Sequence, residues 1–253
     1  DALPHGAIVV VSSGGPKGTD LRAPSEDFVL YEDGLVLFRS PSDPRSGLKE
    51  AHLGADAVRS LVDAIIADGF LSLEQFYEVS AATDQPGVGA MVRQGREWHV
   101  VTAYGLDHLG EVTCCLWTEP PQALVATLRR IASFDVADAK PWIPGEFEMS
   151  MSDGSLHGDI VSDATERWPS FLPEPSIDPG ATYARPVFDS KYLEAVDAFD
   201  RSSTGRPVLV GGRGWRFHVA SYAVPERQYI LTVWRGYDAS RWQAQERRRK
   251  ARE

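Results

Sequence analysis

The sequence predicts an α+β fold made mainly of antiparallel sheet with flanking helices, and three stretches carry this prediction. Residues 28–38 contain two apolar segments around an Asp-Gly pair, which is a favoured turn between hairpin strands. Residues 90–104 repeat that arrangement around Gly95. Residues 55–70 instead carry apolar side chains at helical spacing. Two hairpins and an amphipathic helix indicate a sheet with a helix laid on one face.

The strand predicted at residues 98–104 has two largely apolar faces. Side chains alternate between the faces of a strand. One face carries Trp98, Val100, Thr102 and Tyr104, and the other carries His99, Val101 and Ala103. We therefore expect a central strand that is covered on at least one side. We also expect Trp98 to be buried, together with Trp215 or Phe217.

Other regular elements follow from the same patterns. Residues 7–12 predict the first strand. The segment 119–134 begins with two prolines, which suit the first turn of a helix, and places Leu124, Leu128 and Ile131 on one face. Another helix is predicted to start near Asp189.

A pattern from the first half returns near the C-terminus. Trp98-His99-Val100 is echoed by Phe217-His218-Val219. A third apolar run follows each time, at residues 112–117 and 229–234, and helical patterns flank both groups, the last at residues 239–253. One interpretation is a duplicated helix–three strands–helix unit. The other is chance similarity between strands of like composition.

Segments rich in Pro and Trp divide the chain. They lie at residues 140–144 and 168–179. We place an N-terminal α+β half at residues 1–140, a Pro/Trp-rich connection at 141–180 and a C-terminal α+β half at 181–253. Within the connection, residues 146–151 have the pattern of a strand.

Composition and charge narrow the class of protein. The chain has 253 residues, 43% of them hydrophobic and 25% charged, which is ordinary for a globular protein. The formal net charge of −10 makes nucleic-acid binding an unlikely function, because phosphates repel an acidic surface. No apolar run approaches the roughly 18 to 20 residues that span a bilayer. The sequence starts at Asp1 rather than Met, so we expect a mature or trimmed chain that has lost any targeting segment.

The two cysteines, Cys114 and Cys115, are adjacent. On a strand they would point to opposite faces, and their Cα spacing is shorter than disulfides usually have. We therefore expect free thiols. The apolar neighbours Val112, Leu116 and Trp117 indicate that these thiols are buried.

Residues with catalytic potential do not form a known motif. None of the six histidines belongs to a His-x-x-x-His or His-Glu-x-x-His pair, so we expect no metal site and no cofactor. A Gly-x-Ser-x-Gly elbow is also missing. The arrangement that most resembles a site combines His157 and Asp159, in a predicted loop, with His99 or His218.

The first half resembles an uncharacterised group of secreted or lipid-anchored bacterial proteins, mostly actinobacterial. The residues that carry the resemblance are Leu30-Tyr-Glu-Asp-Gly-Leu-Val36, Ala67-Asp-Gly-Phe70, Thr83-Asp-Gln-Pro86, Val101-Thr-Ala-Tyr-Gly-Leu106 and Pro141-Trp-Ile-Pro144. The resemblance implies an extracytoplasmic location and no activity. The chain lacks a lipid-attachment cysteine at its start, and its second half matches less clearly, so a cytoplasmic location stays open.

Two functions from different classes fit these observations. The favoured one is a non-enzymatic protein-interaction module or accessory subunit, whose partner-binding residues are Trp142, Trp168, Trp242, Arg247, Arg248 and Arg249. The basic tail that holds the last four residues suits an acidic partner or an anionic membrane surface. The alternative is a hydrolase or metal-dependent enzyme whose site is assembled from loops.

Overall fold

The structure, a computed structural model, describes residues 6–14, 25–42, 47–82, 85–153, 166–184, 186–203, 208–210 and 212–222. These residues form fourteen strands, in mainly antiparallel sheets, and three short α-helices. The predicted α+β class is therefore confirmed. The described residues divide into two compact units, residues 6–142 and residues 143–222.

The first unit contains an eight-stranded sheet. Its strands are β1 (Ala7–Gly14), β2 (Ser25–Tyr31), β3 (Leu35–Phe38), β4 (Lys49–His52), β5 (Phe76–Glu78), β6 (Gly87–Gln94), β7 (Glu97–Tyr104) and β8 (Lys140–Pro141). The order across the sheet is β5-β7-β6-β1-β2-β3-β4-β8. All neighbours are antiparallel except β5 and β7, which are parallel.

Both predicted hairpins are present in this sheet. The turn between β2 and β3 is closed by Asp33, whose Oδ1 accepts a 3.0 Å hydrogen bond from the amide of Leu35. Gln94 and Glu97 are the last paired residues of the β6–β7 hairpin, and the turn between them contains Gly95, with a φ of 62°. Glycine is favoured at positions in this left-handed region, so the local sequence accounts for the turn.

Two helices cover one face of the sheet. They are α1 (Ala55–Ala67) and α2 (Gln122–Ala132). The two prolines predicted in the first turn of α2 instead precede the helix, with Pro121 as its N-cap residue. Ile65 of α1 and Leu128 of α2 are buried in the same core as Val9, Phe28 and other side chains from that face of the strands. Burial of such a continuous apolar layer is the main stabilising contribution to a fold of this kind.

An ion pair joins the two helices. The guanidinium of Arg130, in the last turn of α2, donates to both carboxylate oxygens of Asp68 at 2.9–3.1 Å. Asp68 caps the C-terminus of α1. The two-point geometry fixes the relative orientation of these helix ends.

The position of β7 differs in part from the prediction. β7 lies inside the sheet, but β1 and β2 occupy its centre. Trp98 is partly exposed, so the prediction that it is buried is wrong. Trp98 lies on the opposite face of β7 from Val101 and Ala103, which belong to the core under the two helices. β5 pairs only with residues 102–104 of β7, so it does not flank Trp98 either.

The second unit contains a six-stranded sheet and one helix. Its strands are β9 (Glu146–Asp153), β10 (Glu166–Arg167), β11 (Tyr183–Ala184), β12 (Val187–Asp189), β13 (Val208–Val210) and β14 (Arg213–Tyr222), and its helix is α3 (Leu193–Ser203). The order is β10-β13-β14-β9-β11, and β12 also pairs with β9. Trp215 is buried in its core, as predicted, with Phe147, Met149 and Val196.

Residues 141–180, which the sequence marks as a connection, include β9 and β10. The strand predicted at residues 146–151 is confirmed as part of β9. The helix predicted near Asp189 is also confirmed. A 3-10 turn at Ser190–Tyr192 leads into α3, and the Asp189 side chain accepts a 2.9 Å hydrogen bond from the amide of Lys191.

The two sequence-related hairpins are built into their sheets differently. In the first unit β1 pairs with β6, the first strand of the hairpin, whereas in the second unit β9 pairs with β14, the second strand. Residues 112–117 form a loop, so the strand predicted there is wrong. β5 already occupies the edge of β7 where such a strand would pair. The three strands between α1 and α2 are thus β5, β6 and β7. Residues 229–234 and 239–253, where the second copy of the pattern continues, lie outside the described residues.

Candidate functional site

One loop of the first unit exposes an unusual share of apolar surface. Eight large hydrophobic side chains are exposed in the described part of the chain. Half of them, with exposed fractions of 36–55%, lie between β7 and α2: Leu109, Val112, Leu116 and Trp117. We call residues 105–119 the disulfide loop, because it also contains a bridge between Cys114 and Cys115. Apolar side chains exposed together are typical of a contact surface.

The first half of the disulfide loop is a compact turn. The Oδ1 atom of Asp107 accepts 2.9 Å hydrogen bonds from the amides of both Leu109 and Glu111. Leu106 and Val112 then meet in an isolated antiparallel bridge. A carboxylate that gathers two backbone amides holds a turn without help from a sheet. The apolar side chains of this half are therefore presented by an ordered backbone.

Gly105 begins the loop at a point of close packing against Ser80. Its φ of 84° lies in the left-handed region, and a Cβ added there would stand 2.8 Å from the Ser80 amide nitrogen and closer still to the Ser80 Cβ. Only glycine fits both the conformation and the space. The Gly105 carbonyl accepts a 3.0 Å hydrogen bond from the amide of Thr113, which closes the loop on itself.

The second half of the disulfide loop is bonded to the segment that follows β5. Hydrogen bonds run from the Ser80 hydroxyl to the Cys114 carbonyl (2.7 Å) and from the Ala81 amide to the Cys115 carbonyl (3.0 Å). The Val79 carbonyl accepts two more, from the amides of Trp117 (2.7 Å) and Thr118 (3.3 Å). Ser80 also forms an isolated bridge with Leu116. The exposed residues Leu116 and Trp117 therefore stand on a fixed backbone.

The buried hydroxyl of Tyr104 ties a further part of this end of the sheet together. It donates to the Ala82 carbonyl at 2.8 Å and accepts from the Gln85 amide at 2.9 Å. The side-chain oxygen of Gln85 in turn accepts a 3.0 Å hydrogen bond from the Thr113 hydroxyl. The path from Tyr104 to Thr113 links the core to the loop through polar groups only.

The cysteines differ from the prediction in two ways. Cys114 and Cys115 form a disulfide and both are exposed, whereas the sequence predicts free and buried thiols. The prediction assumes an extended strand. The backbone is instead a loop in which Cys115 has a φ of 51°, the one positive φ of a non-glycine residue in the described chain. That conformation removes the opposed orientation that a strand imposes on neighbouring side chains.

The charged side chains around the exposed apolar residues are mainly acidic. Asp107, Glu111 and Glu119 lie in the loop with one histidine, His108, and Glu111 and Glu119 are exposed. A partner that covers the apolar residues would therefore meet a rim of negative charge.

A buried carboxylate, that of Asp27, lies at the same end of the sheet as the disulfide loop. Burial raises the pKa of Asp27, and the Ser13 hydroxyl, the Arg39 guanidinium and His108 oppose that rise. The Asp27 Oδ1 atom accepts a 3.0 Å hydrogen bond from Arg39 Nε. A buried carboxyl group with a raised pKa occurs both in active sites and in structural ion pairs. Arg39 directly follows the neighbouring strand β3, and its contact with Asp27 is a structural ion pair.

The predicted partner-binding tryptophans within the described residues are partly buried. Trp142 donates its amide to the Leu48 carbonyl at 2.8 Å, next to the short β4–β8 pair. The Trp168 ring packs against the core of the second unit, 6.1 Å from the ring of Phe188, and its Nε1 donates to the Leu172 carbonyl at 3.2 Å. Trp242, Arg247, Arg248 and Arg249 lie outside the described residues.

Of the residues of the alternative enzyme site, the structure describes His99 in the first unit and the backbone of His218 in the second. The Nε2 atom of His99 lies 3.0 Å from the Leu73 carbonyl, and its ring stands edge-on to Phe70. His218 is paired with Ser150 in the other sheet. His157 and Asp159 lie outside the described residues. The described side chains include no group of three His, Cys, Asp or Glu that is arranged to hold a metal ion.

Comparison of the chain with known protein families, with curated proteins and with solved structures gives no match. None of the described helices combines the length and the apolar character that crossing a membrane requires.

The sequence contains a signal for the disulfide loop that an analysis of strand patterns passes over. Gly105 and Gly110, both at positive φ, bracket a short segment in which Asp107 is the first residue of a turn. Two turn-forming glycines ahead of residues 112–117 argue against a strand there. Adjacent cysteines, which are rare partners within a strand, point the same way.

Proposed function

We propose that this chain is a non-enzymatic protein-interaction module, an accessory subunit that binds its partner through the disulfide loop. The observation that carries the proposal is the exposure of Leu109, Val112, Leu116 and Trp117 on one loop whose backbone is hydrogen-bonded to the segment that follows β5. Tryptophan is enriched among the residues that dominate binding energy at protein interfaces. An exposed side chain of this kind has more to gain from a partner than from water.

The fixed backbone of the loop favours binding over accidental exposure. Flexible loops lose conformational freedom when they bind, and that loss opposes association. Here the Ser80–Cys114 and Val79–Trp117 hydrogen bonds hold the loop before any partner arrives. The apolar side chains are therefore preorganised for contact.

The charges of the loop define the chemistry of the partner. Asp107, Glu111 and Glu119 lie in the same loop as the apolar residues, and the whole chain carries a formal net charge of −10. A protein surface with an apolar centre and a basic rim would complement both features. Nucleic acid is a poor match, since its phosphates repel the acidic groups.

We place this module outside the cytoplasm. An exposed Cys114–Cys115 bridge supports this location, because cytosolic thiol systems keep accessible disulfides reduced. The resemblance of residues 7–145 to secreted and lipid-anchored proteins supports it as well. The basic tail, with Trp242 and Arg247–Arg249, would add contact with an anionic membrane surface.

The test is quantitative capture from membrane and soluble fractions of the native organism, with the full chain as bait. Leu116→Asp places a charge in the apolar surface, and Ile143→Asp is the matched control, because Ile143 is also an exposed aliphatic residue, at 77%, but lies in the second unit. We expect a stoichiometric partner that Leu116→Asp reduces at least tenfold and that Ile143→Asp retains.

Two results would overturn the proposal. One is recovery of the same partner in equal amounts with wild type and Leu116→Asp. The other is the absence of a stoichiometric partner from both fractions. Circular dichroism of the variants confirms that each retains its fold, since an exposed substitution is not expected to unfold the chain.

A further inference from the structure

We propose that Cys114 and Cys115 form a reversible thiol–disulfide switch that sets the conformation of the disulfide loop and so controls its apolar contact surface. This inference rests on the proposed function, because the surface under control is the one that binds the partner. The switch itself is a property of the free chain and is measured without a partner.

The position of the bridge in the chain argues against an ordinary structural role. A disulfide stabilises a fold mainly by closing a long loop and so restricting the unfolded chain. Cys114 and Cys115 are neighbours, so their bridge closes no loop of that kind. What it constrains is the local backbone between the two residues. Its effect is therefore expected to be local to the disulfide loop.

Exposure makes the bridge accessible to a thiol reductant. Both cysteines and every residue from Glu111 to Glu119 are exposed. Thiol–disulfide exchange requires a thiolate to approach a sulfur atom directly, and exposed disulfides are the labile ones. Buried side chains of the core would exclude such an approach.

The backbone around the bridge is hydrogen-bonded to the segment that follows β5. The Cys114 carbonyl accepts from the Ser80 hydroxyl and the Cys115 carbonyl accepts from the Ala81 amide. Cys115 has a φ of 51°, in a region that residues with a side chain rarely adopt. Once the bridge is open, Cys115 is free to return to negative φ. That rotation turns its carbonyl away from Ala81 and moves the neighbouring Leu116.

The switching step balances with a dithiol as the reductant. One of its thiolates attacks a sulfur of the bridge, the S–S bond breaks, and the released cysteine thiolate takes up a proton. The second thiol of the reductant then attacks the mixed disulfide and releases the other cysteine as a thiol. Two electrons and two protons reach Cys114 and Cys115, and the reductant leaves as its own disulfide. Reoxidation by a disulfide of higher potential reverses both steps.

The first part of the test is hydrogen exchange of the free, full-length chain with and without dithiothreitol, read by mass spectrometry. Alkylation under denaturing conditions counts the free thiols in each sample. We expect no free thiols without reductant and two with it. Reduction should speed exchange of the Ala81 and Trp117 amides at least tenfold and leave the amides of β1 and β2 unchanged.

The second part uses Cys114→Ser/Cys115→Ser, which should show the faster exchange without reductant. If this variant does not fold, the dithiothreitol series on the wild type still decides the matter. Unchanged exchange on reduction overturns the switch, and so do two free thiols in the untreated protein or loss of protection throughout the sheet. A failed switch leaves the capture experiment with Leu116→Asp unaffected, so the two proposals fail separately.

Discussion

The Ser80 hydroxyl donates a 2.7 Å hydrogen bond to the carbonyl oxygen of Cys114. Ser80 is buried, whereas Cys114 is exposed. The bond therefore joins the interior of the first unit to the loop that carries four of the eight exposed large hydrophobic side chains of the described residues. Ser80 Oγ also accepts a 3.1 Å hydrogen bond from the Ala82 amide. One hydroxyl therefore bonds both to the disulfide loop and to the segment that follows β5.

Ser80→Ala tests this link. The change removes one donor and leaves the Ala82 amide without its acceptor, so we expect the free energy of unfolding to fall by about 1 to 2 kcal/mol. Urea denaturation measures it. Ser72→Ala is the control, because the exposed Ser72 hydroxyl bonds only to the Gly69 carbonyl, where water can replace it. Equal losses for both variants would show that the buried link has no special role.

Gly105→Ala tests the close approach of the loop to Ser80. The new Cβ would combine a left-handed φ with overlap against the Ser80 backbone, so we expect a loss of about 3 kcal/mol in the free energy of unfolding. Gly95→Ala separates the two causes. Gly95 has a positive φ of 62° but open space around it, so we expect a loss of only about 1 kcal/mol there. A Gly105→Ala chain as stable as Gly95→Ala would contradict the packing.

Arg213→Lys tests a clamp in the second unit. The Arg213 guanidinium pairs with Asp153, donates to the carbonyls of Pro179 (2.8 Å) and Ala181 (2.9 Å), and lies 4.9 Å from the centre of the Trp215 ring. Lysine cannot reproduce this planar fork, so we expect a loss of about 2 kcal/mol in the free energy of unfolding.

The control for Arg213→Lys is Arg59→Ala. Arg59 pairs with Asp56 on the surface, where both side chains are largely exposed. Exposed pairs contribute little, so we expect a change below about 0.5 kcal/mol, measured by the same urea titration. A small effect at both positions would mean that the clamp adds nothing beyond a surface pair.

The raised pKa of Asp27 predicts a pH dependence of stability. A carboxyl group with a folded-state pKa above its unfolded value of 3.8 favours the folded chain at acidic pH, and that contribution is lost as pH rises through the folded-state pKa. We therefore expect the stability of the wild type, relative to Asp27→Asn, to decrease as pH rises from below 3.8 toward neutrality. Urea titrations across this range measure the difference.

Asp189→Asn provides the opposite sign in the same experiment. Hydrogen bonds from Lys191, first from its amide, lower the pKa of Asp189, so its contribution is present above the unfolded pKa and lost as pH falls. Because its side chain is exposed to solvent, the effect is expected to be small. A wild-type advantage over Asp27→Asn that grows with pH would contradict the burial of Asp27.

Local sequence patterns predict most of the regular elements correctly. The β2–β3 and β6–β7 hairpins, α1, α2 and β9 all form where turn residues and apolar spacing indicate. These elements depend on residues that are close in the chain, so their signal is local. The short strands β4, β5, β8, β10, β11 and β12 are missed, because pairing with a neighbour, rather than their own composition, makes them strands.

The candidate site is harder to predict from local sequence patterns. Residues 112–117 have strand composition, yet β5 occupies the edge of β7 where a strand would pair. The apolar side chains of this segment are therefore exposed instead of buried, and the cysteines meet in a loop. The partner-binding roles of Trp142, Trp168 and the C-terminal tail stay predictions.

The sequence by itself determined the α+β class, the two hairpins and the helices that cover the first sheet, because apolar periodicity and turn chemistry act over a few residues. Only the tertiary structure decided the order of the strands, the partial exposure of Trp98 and the exposure of the disulfide loop. Strand order depends on which distant edges meet, and burial depends on what lies above each side chain. Both are properties of contacts between segments that are far apart in the chain, so no local pattern encodes them.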